Sequence, residues 1–120
     1  MFNKAMLLAQ KSGGGETTLT LGIDAFGGGG ALSDAETNEI IDDFSSGSYE
    51  ELTVTVEIGK QYYFRVNTAV PVVYTISESR NVTVDHASLN QWLDTYCYFT
   101  VTGANPRIIL YGEYDESGLV

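Results

Sequence analysis

The chain has 120 residues, the size of one domain, and a chain of this length can bury a core without staples. Its single cysteine, Cys97, excludes an intramolecular disulfide and therefore the disulfide-stapled class of secreted module. Six basic and sixteen acidic residues give a net charge of −10, which excludes the basic footprint of a nucleic-acid-binding protein and disfavours an anionic membrane surface.

The first 15 residues are predicted to form an arm and a glycine-rich linker. Phe2–Lys11 has the length of two to three helical turns, which is marginal in water by itself, and Ser12–Gly15 acts as a flexible linker. The segment is either a frayed tail or an arm that becomes ordered on a partner. Its apolar run is too short for a secretory leader or a membrane span, so we expect a protein made in the cytoplasm. The candidate interaction residues of the arm are Phe2, Met6, Leu7 and Leu8.

The first strand is predicted over Thr17–Ile23, where apolar residues alternate with threonine and glycine. The run Gly27–Gly30 follows. It lacks the G-x-G-x-x-G spacing and the Lys-Ser/Thr ending of phosphate-binding loops, so no nucleotide site is expected. We expect a mobile loop or a close backbone crossing at these glycines.

An acidic region occupies residues 34–51, and no lysine or arginine lies between Lys11 and Lys60. Ser33 followed by Glu36 has capping-box spacing, which favours a short helix over Asp34–Asp42. The alternative is a short strand over Glu39–Phe44, and the periodicity leaves both open. The acidic spacing does not match a calcium-binding loop, so a solvated acidic face is expected.

The strongest structural signal is Glu51–Asn67. Apolar residues alternate with polar ones on both sides of the pair Gly59-Lys60. This pattern predicts two strands with one buried face, paired as an antiparallel hairpin.

Downstream of this region, Val70–Glu78 reads as a strand. Pro71 near its start cannot donate to a ladder, which favours an edge position or the first residues of the strand. A brief strand is predicted over Val82–Val84. Asp85–Leu93 is predicted to form at least one helical turn, with Asp85 as its cap.

The last two strands are predicted over Thr95–Thr102 and Arg107–Tyr114, paired as a hairpin. Both of its faces are apolar, which places it centrally or in an interface. The whole pattern predicts an all-β fold, an antiparallel β-sandwich or jelly roll of about seven or eight short strands with one or two short helices. We expect this domain over 16–115, after the arm and linker of 1–15 and before a tail of 116–120.

No catalytic or metal-binding motif is evident. The only histidine, His86, and the only thiol, Cys97, lie in no nucleophile motif. One histidine and one cysteine cannot supply the usual four-ligand zinc set. We therefore expect no enzyme activity, no metal and no cofactor.

The aromatic residues divide between core and surface. Four of them fall where core residues are expected: Tyr62, Phe64, Tyr74 and Trp92. Tyr63, Tyr111 and Tyr114 are the candidates for exposed contacts, with protein or with sugar, because such rings combine apolar area with a polar tip.

The opening MFNKAMLLAQKSGGG, a short apolar arm that runs into glycines and then a compact β-domain, resembles small virion proteins of tailed bacteriophages. The resemblance implies a structural virion protein, either a capsid accessory (decoration) protein or a head or tail component. It implies many copies of this chain in contact with one another and with another virion protein such as the major capsid protein.

Two alternatives stand beside this interpretation. ELTVTVEIGKQYYFRV resembles the central hairpins of bacterial extracellular immunoglobulin-like domains, which normally follow a signal peptide. A carbohydrate-binding β-sandwich, such as the receptor-facing part of a fibre, is the rival function. It predicts exposed, roughly coplanar aromatic rings beside Asp or Asn.

Overall fold

The chain folds as an all-β sandwich in the part that the computed structural model describes, residues 15–89 and 94–115. This confirms the predicted fold class, with nine strands where seven or eight were expected and with no helix among these residues. The strands are β1 (Glu16–Asp24), β2 (Gly29–Asp34), β3 (Ile40–Phe44), β4 (Tyr49–Glu57), β5 (Gln61–Asn67), β6 (Val72–Arg80), β7 (Val82–Ser88), β8 (Thr95–Val101) and β9 (Arg107–Tyr114).

The nine strands form two sheets. One has four strands in the order β4-β1-β9-β6, and the other has five in the order β3-β2-β5-β8-β7. Neighbouring strands pair antiparallel except β1 and β9, which run parallel. Among consecutive strands only β2–β3 and β7–β8 share a sheet, so every other connection crosses between the sheets.

The core lies between the two sheets. Leu19 and Leu21 enter it from β1, and Phe64 and Phe99 enter it from β5 and β8; all four are fully buried. Burial of each such side chain contributes about 1.5–3 kcal/mol. Of the predicted core aromatics, Tyr62, Phe64 and Tyr74 are confirmed as buried. Trp92 lies outside the described residues.

The predicted central hairpin is wrong in its pairing, although both strands exist. β4 pairs with β1 in the four-stranded sheet, whereas β5 pairs with β2 and β8 in the other. Gly59, in the arch between them, has a φ of 96°, which favours glycine. The Gly59 N–H donates to the Val101 carbonyl, and the Val101 N–H donates to the Lys60 carbonyl. The end of β8 therefore satisfies the backbone of the arch.

The predicted C-terminal hairpin is wrong for the same reason. β8 lies in the five-stranded sheet and β9 lies in the four-stranded sheet, so the turn between them also crosses the sandwich. Each strand is flanked on both sides in its own sheet. The predicted central placement of these apolar strands is thus confirmed.

The acidic region forms a turn and a strand. β2 ends at Asp34 and β3 covers Ile40–Phe44, so the helix predicted over Asp34–Asp42 is wrong and the alternative strand over Glu39–Phe44 is confirmed. The carboxylate of Asp34 binds backbone N–H groups of the turn, which competes with helix formation.

Of the remaining local predictions, two are confirmed and one is wrong. The close crossing at the glycine run is confirmed, because a Cβ at Gly28 or Gly30 would meet the backbone of β5 or the residue after it. β6 is an edge strand that begins directly after Pro71, as predicted. The helix predicted over Asp85–Leu93 is wrong as far as Ser88, because β7 continues through these residues along β8. Residues 90–93 lie outside the described chain.

Candidate functional site

One register row of the five-stranded sheet brings three aromatic rings together on its outer face. Tyr63 of β5, Tyr98 of β8 and His86 of β7 are neighbours across the three strands. The Tyr63 and Tyr98 rings stack with centroids 4.8 Å apart and planes inclined by 19°, and the Tyr98 and His86 rings stack at 4.4 Å and 16°. Adjacent strands lie about 4.8 Å apart, so strand pairing itself holds these rings in contact. We call these three residues the aromatic row.

Tyr96 and an ion pair border the aromatic row. The Tyr96 ring meets the Tyr98 ring edge-on, with centroids 6.0 Å apart. Arg65 donates from Nε to Asp94 Oδ1 at 2.9 Å and from Nη2 to Oδ2 at 2.8 Å. This guanidinium holds the pKa of Asp94 below its ordinary value. The row, Tyr96 and the ion pair line a depression of about 330 Å³.

A second depression, of about 310 Å³, lies over β2 on the other side of Tyr63. In the register of the sheet, Ser33 of β2 lies between Tyr63 of β5 and Ile40 of β3, so one small side chain separates two larger ones. We call this depression the β2 groove. Its remaining lining residues are Gly30, Ala31, Asn38, Arg65 and Asn67.

The loop between β2 and β3 places Asn38 at the end of this groove. Asp34 Oδ1 accepts hydrogen bonds from two backbone N–H groups of the loop, and Asp34 Oδ2 lies 2.6 Å from Lys60 Nζ. The hydrogen bond from Lys60 holds the pKa of Asp34 below its ordinary value. The Tyr63 hydroxyl then donates to Asn38 Oδ1 at 3.3 Å. The loop is thus fastened to the arch before β5 and to the aromatic row.

The outer face of the four-stranded sheet carries a different arrangement. Tyr49 of β4 lies across Gly22 of β1 towards Ile109 of β9, and a Cβ at Gly22 would stand 2.8 Å from Ile109 Cδ1. Tyr111 lies two residues after Ile109 and therefore on the same face of β9. Tyr49 is 48% exposed and Tyr111 is 58% exposed. We call Tyr49, Ile109 and Tyr111 the apolar strip.

Charged side chains flank one end of the apolar strip. The Tyr49 hydroxyl donates to Glu51 Oε2 at 2.8 Å. The pKa of Tyr49 is raised, mainly by its partial burial and also by this hydrogen bond. Arg107 pairs with Glu78 across β9 and β6 and lies 4.0 Å from Glu51. The strip is therefore an apolar surface with a fixed polar border.

The structure separates the predicted contact residues. Tyr63 is half-buried on the five-stranded sheet, whereas Tyr111 and Tyr114 belong to β9 of the four-stranded sheet. Tyr114 is 44% exposed. The predicted arm residues lie outside the described part of the chain: Phe2, Met6, Leu7 and Leu8. Participation of all these residues in an interaction stays a prediction.

The thiol and the imidazole lie on opposite faces of the five-stranded sheet. Cys97 is fully buried in the core, and burial raises the pKa of its thiol to about 12. His86 is exposed on the outer face, stacked on Tyr98. A thiolate activated by an imidazole requires the two side chains in hydrogen-bond contact, and these two side chains do not meet.

The described ranges, 15–89 and 94–115, contain no group of three or more His, Cys, Asp or Glu side chains arranged to hold a metal ion. They also contain no helix long and apolar enough to cross a membrane.

Sequence reasoning missed Tyr98, the stacking partner of Tyr63, and the two rings that contact Tyr98 in turn, Tyr96 and His86. A signal was present, because Tyr96 and Tyr98 alternate with Cys97 and Phe99 and therefore share one face of β8.

Comparisons with protein-family models, curated proteins and solved structures find no match to this chain.

Proposed function

We propose that this protein is a non-enzymatic structural component of a phage virion. It acts as a capsid decoration or accessory protein, or as a head or tail component, through contacts with its own copies and with another virion protein such as the major capsid protein. It is made in the host cytoplasm and resides in the virion. The resemblance of MFNKAMLLAQKSGGG to small virion proteins suggests this role, and the apolar strip is the observation that carries it.

The apolar strip supports assembly because it leaves aromatic area in water on a rigid sheet. Tyr49 and Tyr111 are each about half exposed, which presents on the order of 200 Å² of surface. At about 25 cal/mol per Å², covering this area would contribute about 5 kcal/mol before the cost of association. In a symmetric shell or ring, many such contacts act together, so each one needs only modest strength.

Charge supports the choice of a protein partner. The net charge of −10 opposes binding to nucleic acid and to anionic lipid. Arg107 beside the apolar strip is already paired with Glu78 and lies 4.0 Å from Glu51. The charge of −10 on each copy therefore favours contact of the strip with another virion protein that presents a basic surface.

The proposal is tested by light scattering of the full chain and of a variant that lacks residues 1–12. We expect a trimer, pentamer or hexamer for the full chain, and a lower mass for the truncated chain if the arm carries part of the contact. Immunogold labelling of particles released by a host that carries the gene gives the second measurement. Monomers in both forms together with unlabelled particles would contradict the proposal.

A further inference from the structure

We propose that the apolar strip of one copy binds the N-terminal arm, residues 1–11, of a neighbouring copy. This contact presupposes the proposed function, because it names one partner of the strip within the assembly. Three features of the molecule support it: the distribution of charge along the chain, the carboxylates beside the strip, and the position of Gly15 at the far end of β1.

Positive and negative side chains are segregated along the sequence. All sixteen acidic residues lie at Glu16 or beyond it, whereas two of the six basic residues, Lys4 and Lys11, belong to the arm. Two whole copies repel each other, because each has a net charge of −10. The arm has two lysines and no acidic residue, so a negatively charged neighbour attracts this segment of the chain.

The arm also carries apolar area that matches the strip. Leu7 and Leu8 stand between the two lysines, and Met6 precedes them. On the strip, Tyr111 is 58% exposed and Tyr49 is 48% exposed. Contact between these side chains removes apolar surface of both copies from water, which is favourable in proportion to the area covered.

Two carboxylates at one end of the strip form no ion pair within the described part of the chain. Glu113 follows Tyr111 by two residues and therefore lies on the same face of β9. Asp24 follows Gly22 by two residues on β1 and is opposite Tyr49 in the register of β1 and β4. A lysine of the arm can pair with these carboxylates while its leucines cover the neighbouring rings.

The position of Gly15 favours the arm of another copy over the arm of the same chain. The Gly15 carbonyl accepts a hydrogen bond from the Ile58 N–H at 2.8 Å, so the ladder of β1 and β4 extends to this residue. The strip lies beside Gly22, further along β1 by about 20 Å at the usual rise of a strand. A segment attached at Gly15 must therefore reverse its direction to cover its own strip, whereas the arm of a neighbour needs no reversal.

The contact has a consequence for the symmetry of the assembly. Each copy offers one arm and one strip, so the contact is head-to-tail, with a different surface on each side. Head-to-tail contacts close into a ring when the rotation between copies allows it. The trimer, pentamer or hexamer expected of the full chain is such a ring.

Disulfide cross-linking of two co-expressed full-length chains tests the contact. One chain carries Leu7→Cys and a size tag, and the other carries Tyr111→Cys. The native thiol, Cys97, is fully buried in the core. Ile40→Cys in place of Tyr111→Cys is the matched control, because Ile40 is 63% exposed on the other sheet.

After mild oxidation, we expect the mixed disulfide of Leu7→Cys with Tyr111→Cys at about fivefold or more above the yield with Ile40→Cys, because contact raises the effective concentration of the two thiols. Equal yields from the two pairs would overturn the proposal. If particles are still labelled in the immunogold measurement, equal yields would leave the virion role in place and assign the strip to another virion protein.

A double variant distinguishes a neighbour's arm from the chain's own. In a chain with both Leu7→Cys and Tyr111→Cys, we expect disulfide-linked dimers and larger species on a non-reducing gel. A disulfide confined to single chains would overturn the proposal, because the arm would then cover the strip of its own copy.

Charge variants of the arm test the pairing with carboxylates. Lys4→Glu together with Lys11→Glu, introduced into the Leu7→Cys chain, should lower the yield of the mixed disulfide by about fivefold or more. Lys4→Arg together with Lys11→Arg is the matched control, because it keeps the charge, and it should stay within about twofold of the parent pair. An unchanged yield with the glutamate variant would contradict the attraction on which the contact depends.

Discussion

The two outer faces of the sandwich use aromatic residues in opposite ways. On the five-stranded sheet, the rings of Tyr63, Tyr98 and His86 lie in one register row and stack on one another. On the four-stranded sheet, Tyr49 and Tyr111 are about half exposed beside Ile109. The first arrangement covers both faces of Tyr98 and one face each of Tyr63 and His86, whereas the second leaves apolar area in water. The number of aromatic residues on a sheet face therefore does not determine how much ring area is exposed to solvent, because the strand register decides which rings cover one another.

The largest expected difference between the two sheets is in the stability lost when one methyl group is added to each of them. A Cβ at Gly30 of β2 would meet the Arg65 backbone carbonyl, so β2 and β5 must separate. A Cβ at Gly22 of β1 would meet the Tyr49 hydroxyl and the Ile109 methyl group, which are ends of side chains that can move. We expect Gly30→Ala to lower the free energy of unfolding by about 3 kcal/mol and Gly22→Ala by about 1 kcal/mol or less. Urea denaturation of both variants measures the difference, and equal losses would contradict this reading of the two glycines.

The next effect concerns the two tyrosines. Tyr63 is half-buried and stacked on Tyr98, so Tyr63→Ala should cost about 1–2 kcal/mol from lost burial and ring contact. Tyr111 is 58% exposed, so Tyr111→Ala should change the stability of the monomer by less than about 0.5 kcal/mol. Denaturation at low protein concentration, where copies do not associate, gives the comparison. A larger loss for Tyr111→Ala would mean that the apolar strip supports the fold itself.

A smaller, pH-dependent effect tests how the groove loop is held. The contact with Lys60 lowers the pKa of Asp34 in the folded chain. The stabilisation is therefore present above the unfolded pKa of about 3.9 and is lost as the pH falls through the lower folded value. Asp34→Asn removes the charge but keeps the Oδ1 acceptor of the turn, and it should cost about 1 kcal/mol at pH 7.

At a pH below the lowered folded pKa of Asp34, the parent and Asp34→Asn should unfold with nearly the same free energy. Asp34→Ala is the matched variant, because it also removes the acceptor of two backbone hydrogen bonds. It should remain less stable than Asp34→Asn at both pH values. A difference between the parent and Asp34→Asn that persists at low pH would show that the ion pair is not its cause.

The strands were predictable from alternation, and their pairings were not. Period-two patterns identified β4 and β5, because each presents one apolar face to a core that both sheets share. The apolar runs of β8 and β9 identified these two as central strands. A short glycine-containing turn predicts that the chain reverses, but a hairpin and an arch reverse it equally well. The choice depends on distant partners, such as Val101, which bonds the backbone of Gly59 and Lys60. Such partners leave no local mark in the sequence.

The candidate site was predictable only in part for the same reason. Alternation placed Tyr63 outside the core, and the structure places it there. Its stacking on Tyr98, and the stacking of Tyr98 on His86, depend on the register of β5 with β8 and of β8 with β7, including the irregularity between Val84 and His86. A capping preference at Asp85 predicts a helix there, and with a helix in place of β7 the register with β8 cannot be predicted. In the folded chain, strand pairing outweighs this local preference.

The most direct test of the division between the two faces is the solution mass, measured by light scattering, of two single variants. Tyr111→Ser removes an exposed ring from the apolar strip, and Tyr63→Ser removes one from the aromatic row. We predict that Tyr111→Ser lowers the mass of the assembly and that Tyr63→Ser leaves it equal to that of the parent. An assembly that survives Tyr111→Ser and dissociates with Tyr63→Ser would contradict the account and assign the contact surface to the five-stranded sheet.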